Sequence, residues 1–76
     1  IGFIMEEKAI PRNGYQIVNK EKNIIGKVTS GTQSPSLSRG IGLGYVKNSY
    51  SNINTQFGII IRNKICLARV IKTPFI

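Results

Sequence analysis

The stretch KVTSGTQSPSLSRGIGLGYV, residues 27–46, decides the fold. It places a β-branched start, a polar cluster of turn-forming residues and a second apolar run with glycine at every other position in twenty residues. Ile41 to Val46 reads as a strand whose alternate glycines, Gly40, Gly42 and Gly44, leave one face bare. Bare positions of that kind suit a tight barrel bend or the close approach of another backbone. The spacing G-x-G-x-G differs from the dinucleotide fingerprint G-x-G-x-x-G, and no strand-loop-helix context surrounds it, so a structural role is expected.

Outward from this stretch the apolar residues continue in short runs bounded by Gly, Pro, Asn and Ser, without a sustained helical spacing. The expected strands are Ile1 to Met5, Tyr15 to Asn19, Ile24 to Ser30, Ile41 to Val46, Phe57 to Arg62 and Ile65 to Ile71. Lys20 to Asn23 has the length of a hairpin connection. Arg62-Asn63-Lys64 makes a tighter one, with Asn63 suited to a positive φ. Ser34-Pro35-Ser36-Leu37 reads as a turn or one helical turn capped by Ser34, and Lys47 to Gln56 as an irregular surface loop. Six short strands at hairpin spacing predict an all-β domain, a small six-stranded antiparallel barrel, because closure removes exposed edges.

Seventy-six residues suffice for one domain, which buries only about 60% of the surface of the unfolded chain. The last strand is apolar on both sides, with Cys66, Ala68 and Val70 alternating against Ile65, Leu67, Arg69 and Ile71. A second apolar face on a small barrel implies that something else covers part of its outside. The chain opens on Ile1 rather than Met, which reads as a piece of a longer polypeptide.

Chemistry is bounded by what is missing. There is no His and no Asp, and the only carboxylate side chains are those of Glu6, Glu7 and Glu21. A His-centred triad, an ordinary zinc site and an aspartate base are therefore excluded, and no metal is expected. Glu6 and Glu7 read as solvated charges at a strand end. The single cysteine, Cys66, cannot form an internal disulfide and reads as a buried structural thiol in a reducing compartment. No run approaches the roughly 18 apolar residues of a membrane span and no signal peptide is visible, which implies a soluble, cytoplasmic protein without a membrane partner.

Two elements remain as candidates for function. Thr29, Ser30, Gly31, Thr32, Gln33 and Ser34 form a polar segment read as a loop, with Gly31 permitting a turn. It can line a polar ligand, stitch two domains together, or serve only as a well-capped turn. Arg12, beside Pro11 in a Gly-containing loop, can bind a carboxylate in a bidentate fashion. The acceptors open to it are a ligand's carboxylate, a partner's acid and a neighbouring domain's Asp or Glu. The net charge of +8 admits a second reading, a basic barrel that binds RNA or single-stranded DNA. Against it, the cations are scattered singly and the aromatics are not clustered, so nucleic acid is not the expected partner.

The order and spacing of these motifs resemble the C-terminal domain of the glycine cleavage system T-protein family, the folate-dependent aminomethyltransferases. The resemblance rests on Pro11-Arg12-Asn13-Gly14-Tyr15, on Ile25-Gly26 leading into Val28 to Leu37, on Gly44-Tyr45-Val46 and on Ala68 to Phe75, ending Lys72-Thr73-Pro74-Phe75. It implies a β-barrel over residues 1–76 that closes over a separate N-terminal catalytic region. That region supplies the catalytic aspartate and most of the tetrahydrofolate pocket. The resemblance also implies a transferase that takes an aminomethyl group from the lipoyl arm of the H-protein, in glycine catabolism, and yields methylenetetrahydrofolate and ammonia. This chain has no Asp to inherit the catalytic role. Arg12, Thr29, Ser30, Gly31, Thr32, Ser34 and Arg39 are the positions expected to face the rest of such an enzyme or its ligand.

Overall fold

In the computed structural model, which describes residues 1–36 and 38–72, six strands run in the order β1 (Gly2–Met5), β2 (Gln16–Val18), β3 (Ile24–Ser34), β4 (Arg39–Val46), β5 (Gln56–Ile61) and β6 (Lys64–Ile71). They close into an antiparallel barrel in the spatial order β1-β4-β3-β2-β5-β6, with β6 returning to β1. The expected fold class is therefore observed, and every expected strand is present within a few residues.

The β5–β6 hairpin is the element most clearly dictated by local sequence. Arg62 and Asn63 both have positive φ, 50° and 65°. Two such residues in a two-residue loop give the primed turn whose twist matches that of paired strands. The β2–β3 connection is shaped by Asn19, whose Oδ1 accepts hydrogen bonds from the backbone N–H groups of Glu21 (3.0 Å) and Asn23 (2.9 Å). The segment expected as irregular, Lys47 to Gln56, holds a single 3₁₀ turn over Asn48–Tyr50, and Gln56 already belongs to β5.

The core is a column of inward side chains that includes Phe3, Met5, Ile17, Val28, Phe57 and Ile59. Phe3 and Phe57 meet edge to face, centroids 5.6 Å apart at 77°. Such a pair adds about 0.5–1.5 kcal/mol to its area burial. The division of β6 follows its alternation: Cys66, Ala68 and Val70 are buried, whereas Leu67 and Ile65 are 45% and 37% exposed. Apolar side chains thus do stand on the outside of this barrel.

The largest departure from expectation concerns residues 29–34. The polar segment is not a loop. It continues β3 to Ser34 and pairs with β4 through Ser30↔Leu43, Gly31↔Gly42, Thr32↔Ile41, Gln33↔Gly40 and Ser34↔Arg39. Turn chemistry starts only at Pro35, where the N–H of Ser38 donates to the carbonyl of Ser34 at 2.8 Å. Leu37, of the expected Ser34 to Leu37 turn, and Thr73-Pro74-Phe75 of the terminal motif lie outside the described residues.

Candidate functional site

The β3–β4 ribbon carries most of the candidate residues, and its glycines explain its shape. Gly40, Gly42 and Gly44 turn their bare side to the barrel interior. A Cβ there would meet the Ala9 carbonyl oxygen at Gly40, the Phe3 ring at Gly42 (2.6 Å) and the Lys27 carbonyl oxygen at Gly44 (2.7 Å), with Met5 (3.0 Å) and the Ile17 methyl (3.4 Å) behind the first and the last. The ribbon presents exposed Tyr45 and Leu43 outward, whereas Ile41, in the same alternation, is buried. Opposite them on β3 stand Lys27, Ser30 and Thr32. The register slips between Val28 and Ser30, leaving Thr29 as the extra residue of a bulge. The Thr29 hydroxyl donates to the Leu43 carbonyl at 3.1 Å.

Gly31 has a different role from the turn expected of it. It sits within β3, where a Cβ would overlap the backbone of Pro11, 2.6 Å from its carbonyl carbon. The loop before β2 is thereby packed on the ribbon, and Pro11 is almost completely buried. Backbone bonds fasten the rest of this loop to β3: Gly14 N–H to the Val28 carbonyl (2.9 Å) and Val28 N–H to the Tyr15 carbonyl (2.8 Å). Arg12, next to the buried proline, is exposed. The structure therefore joins the Arg12 loop to the Gly31 segment, two candidates distant in sequence.

Arg39 goes elsewhere. Its Nη1 donates to the Met5 carbonyl at 3.5 Å, on the β1 side of the ribbon. It lines two open clefts that also contain Glu6 and that Arg12 does not reach. Ser34, between them in sequence, is buried, while Thr29, Ser30, Gly31 and Thr32 are exposed. The structure thus brings Thr29, Ser30, Gly31 and Thr32 together on the outer ribbon beside the Arg12 loop, and leaves Arg39 and buried Ser34 apart from them.

Sequence reasoning missed the fixed positions of two carboxylates. Glu6 accepts hydrogen bonds from Gln56 Nε2 at 2.9 and 3.2 Å, and Glu7 accepts the backbone N–H of Leu67 at 2.6 Å. Glu6 is thus tied to β5 and Glu7 to β6 rather than simply solvated. Their partners lie 50 and 60 positions along the chain, so no local pattern announces them. Sequence reasoning also overlooked a cleft of about 660 Å³ over β2, β3 and β5, whose rim includes Tyr45, Lys27, Ile60 and Arg62.

Among the described residues no cluster of His, Cys, Asp or Glu could hold a metal ion. No helix among them is long and apolar enough to cross a membrane. The class defined by this geometry is a small closed antiparallel β-barrel whose candidate surface holds backbone and polar contacts and, among the described residues, no metal-ligand group.

Comparison with known proteins sharpens that class. The family described as the glycine cleavage T-protein C-terminal barrel domain matches residues 1–76, and the chain belongs to it. An aminomethyltransferase of Flavobacterium psychrophilum is 51% identical over 75 residues, covering 99% of this chain and 21% of that protein. The aminomethyltransferases of Porphyromonas gingivalis and Bacillus subtilis are 47% and 45% identical over 75 residues, covering 99% of this chain and 21% and 20% of theirs. The crystal structure of the glycine cleavage system aminomethyltransferase T from Bartonella henselae superposes on the whole chain, with a TM-score of 0.92, 29% identity and 21% of its own length covered. The chain therefore spans about a fifth of the length of these relatives. The relatives support the resemblance read from the motifs and give none to the nucleic-acid reading.

Proposed function

We propose that this chain is the C-terminal barrel of a tetrahydrofolate-dependent aminomethyltransferase of a cytoplasmic glycine cleavage system. In the full-length enzyme a separate N-terminal region carries the catalytic groups. There the aminomethyl group borne on the lipoyl arm of the H-protein passes its one-carbon unit to tetrahydrofolate, with release of ammonia and methylenetetrahydrofolate. The barrel contributes no catalytic residue. It packs against the N-terminal region and helps close the folate site, with Arg12, Thr29, Ser30, Gly31, Thr32, Ser34 and Arg39 on the side of that contact or of the ligand.

The observation that carries this reading is the match over the whole chain to relatives named aminomethyltransferase. The chemistry of the surface agrees with a supporting role. The two clefts along Arg39 are open and mix Arg39 with Glu6, which fits surface contact better than enclosure of a flat pteridine. Exposed Arg12, beside buried Pro11 and outside both clefts, is a further guanidinium open to a carboxylate.

The test is an aminomethyl-transfer assay on the full-length protein, with aminomethyl-lipoyl H-protein and tetrahydrofolate as substrates. Stoichiometric ammonia and methylenetetrahydrofolate are expected, together with loss of turnover when residues 1–76 are deleted. A full-length protein that is folded and inactive with these substrates would refute the assignment.

A further inference from the structure

Asn13-Gly14 is the one place in the chain where an asparagine precedes a glycine. Both residues are exposed, in the turn that carries the chain from buried Pro11 into β2. Glycine has no Cβ, so nothing on the residue itself shields its backbone nitrogen. That nitrogen can attack Cγ of the preceding side-chain amide. The bond from Gly14 N to Cγ forms, the Cγ–Nδ2 bond breaks, Nδ2 leaves as ammonia and the Gly14 amide proton passes to solvent. Water then opens the resulting cyclic imide. Cleavage of the bond to Cγ gives aspartate, and cleavage of the bond to the main-chain carbonyl carbon gives isoaspartate, whose backbone is one carbon longer.

In the folded barrel the backbone of the turn holds this reaction back. The Tyr15 N–H donates to the Arg12 carbonyl at 3.2 Å and Gly14 has a φ of 96°, the pattern of a type II turn with glycine at its third position. The attacking nitrogen is itself the donor of the 2.9 Å bond to the Val28 carbonyl. Its proton must leave before Gly14 can react, so the bond to β3 has to open first. The Val28 N–H returns a bond to the Tyr15 carbonyl at 2.8 Å, which ties the same two segments a second time.

We propose that Asn13 is a modification site gated by these bonds. It converts to aspartate and isoaspartate only from the state in which the turn has left β3, and the isoaspartyl product keeps the turn from docking again. The longer backbone cannot restore the Tyr15–Arg12 bond together with the two bonds to Val28. Each conversion also places a carboxylate beside exposed Arg12 and lowers the net charge of the barrel by one. The inference stands on the turn alone and is independent of the aminomethyltransferase reading.

The experiment incubates the full-length protein at mildly alkaline pH, in native buffer and in urea, and follows conversion by peptide mass spectrometry that separates the two products. In urea Asn13 is expected to convert faster than every other asparagine of residues 1–76, and a faster competitor overturns the site. In native buffer its conversion is expected to be about tenfold or more slower, by the same factor that protects the Gly14 N–H from hydrogen exchange. An equal rate in the two buffers overturns the gate, and so does a native rate that follows exchange of the β5–β6 hairpin instead of Gly14. Asn13→Asp supplies the aspartyl form with a backbone of normal length. It is expected to keep the Val28 N–H protected, whereas protein purified in the isoaspartyl form is expected to lose that protection. Equal Val28 exchange in the two proteins overturns the block on docking.

Discussion

A Cβ placed on Gly42 would lie 2.6 Å from Cζ of Phe3, its register partner across β1 and β4, and 2.7 Å from the backbone oxygen of Ser30. The Phe3 ring occupies the space a side chain would need, so the glycine is required by packing rather than by dihedral angles. Gly42→Ala should therefore destabilise the barrel by about 1–3 kcal/mol, as overpacking does. Phe3→Leu should relieve part of the clash, so that in chemical denaturation the double variant loses less than the sum of the single losses. Additive losses would show that the two positions are uncoupled.

Gly31→Ala tests a tighter contact. Its neighbour is the Pro11 backbone, which cannot rotate away as a ring can. The loss should reach or exceed the upper end of the ~1–3 kcal/mol range, and the loop should lift from β3. Hydrogen exchange reads this directly: the N–H groups of Gly14 and Val28, bonded between loop and strand, should exchange faster than those of the β5–β6 hairpin. Equal protection in both places would mean that the loop is held by something other than Gly31.

The β5–β6 turn gives a prediction of opposite character. Asn63 has φ of 65°, a conformation that costs an ordinary L-residue about 1–2 kcal/mol. Asn63→Ala should lower stability by about 1 kcal/mol, whereas Asn63→Gly should leave it unchanged or raise it slightly. Thermal unfolding of the two variants in parallel makes the comparison, and equal midpoints would refute a backbone origin.

These examples mark what could be read in the sequence. The Arg62-Asn63 turn, the inner and outer faces of β6 and the bare face of the Gly40 to Gly44 run all follow from period and turn chemistry, and so does the closed barrel. The upper half of the β3–β4 ribbon was illegible for a physical reason. Residues 29–34 contain no apolar side chain, and on the facing strand Gly40 and Gly42 supply none either. That end of the barrel is filled by Pro11 from a separate loop, so residues 29–34 show no hydrophobic alternation. The anchoring of Glu6 and Glu7 was hidden for the same kind of reason, since it depends on pairings that exist only after closure. Of the candidate site, the residue types were legible. That Arg12 joins the Gly31 segment while Arg39 turns to the β1 side was not.

Cys66 provides the last prediction. Its side chain is 6% exposed on the inner face of β6, next in alternation to Ala68, and belongs to the core cluster with Phe3 and Phe57. A thiol in that position behaves as a small apolar group, and modification requires the strand to leave the barrel. Thiol-specific labelling at Cys66 in the native protein should therefore follow global unfolding and accelerate in step with denaturant. Cys66→Ser should cost about 1–3 kcal/mol, because the hydroxyl is buried where the thiol packs among aliphatic side chains. Cys66→Ala removes the polar demand and leaves only a small void, so it should be the milder change. Rapid labelling in native buffer would show that β6 detaches locally, and would place the weak point of the barrel at the β5–β6 hairpin instead of in the core.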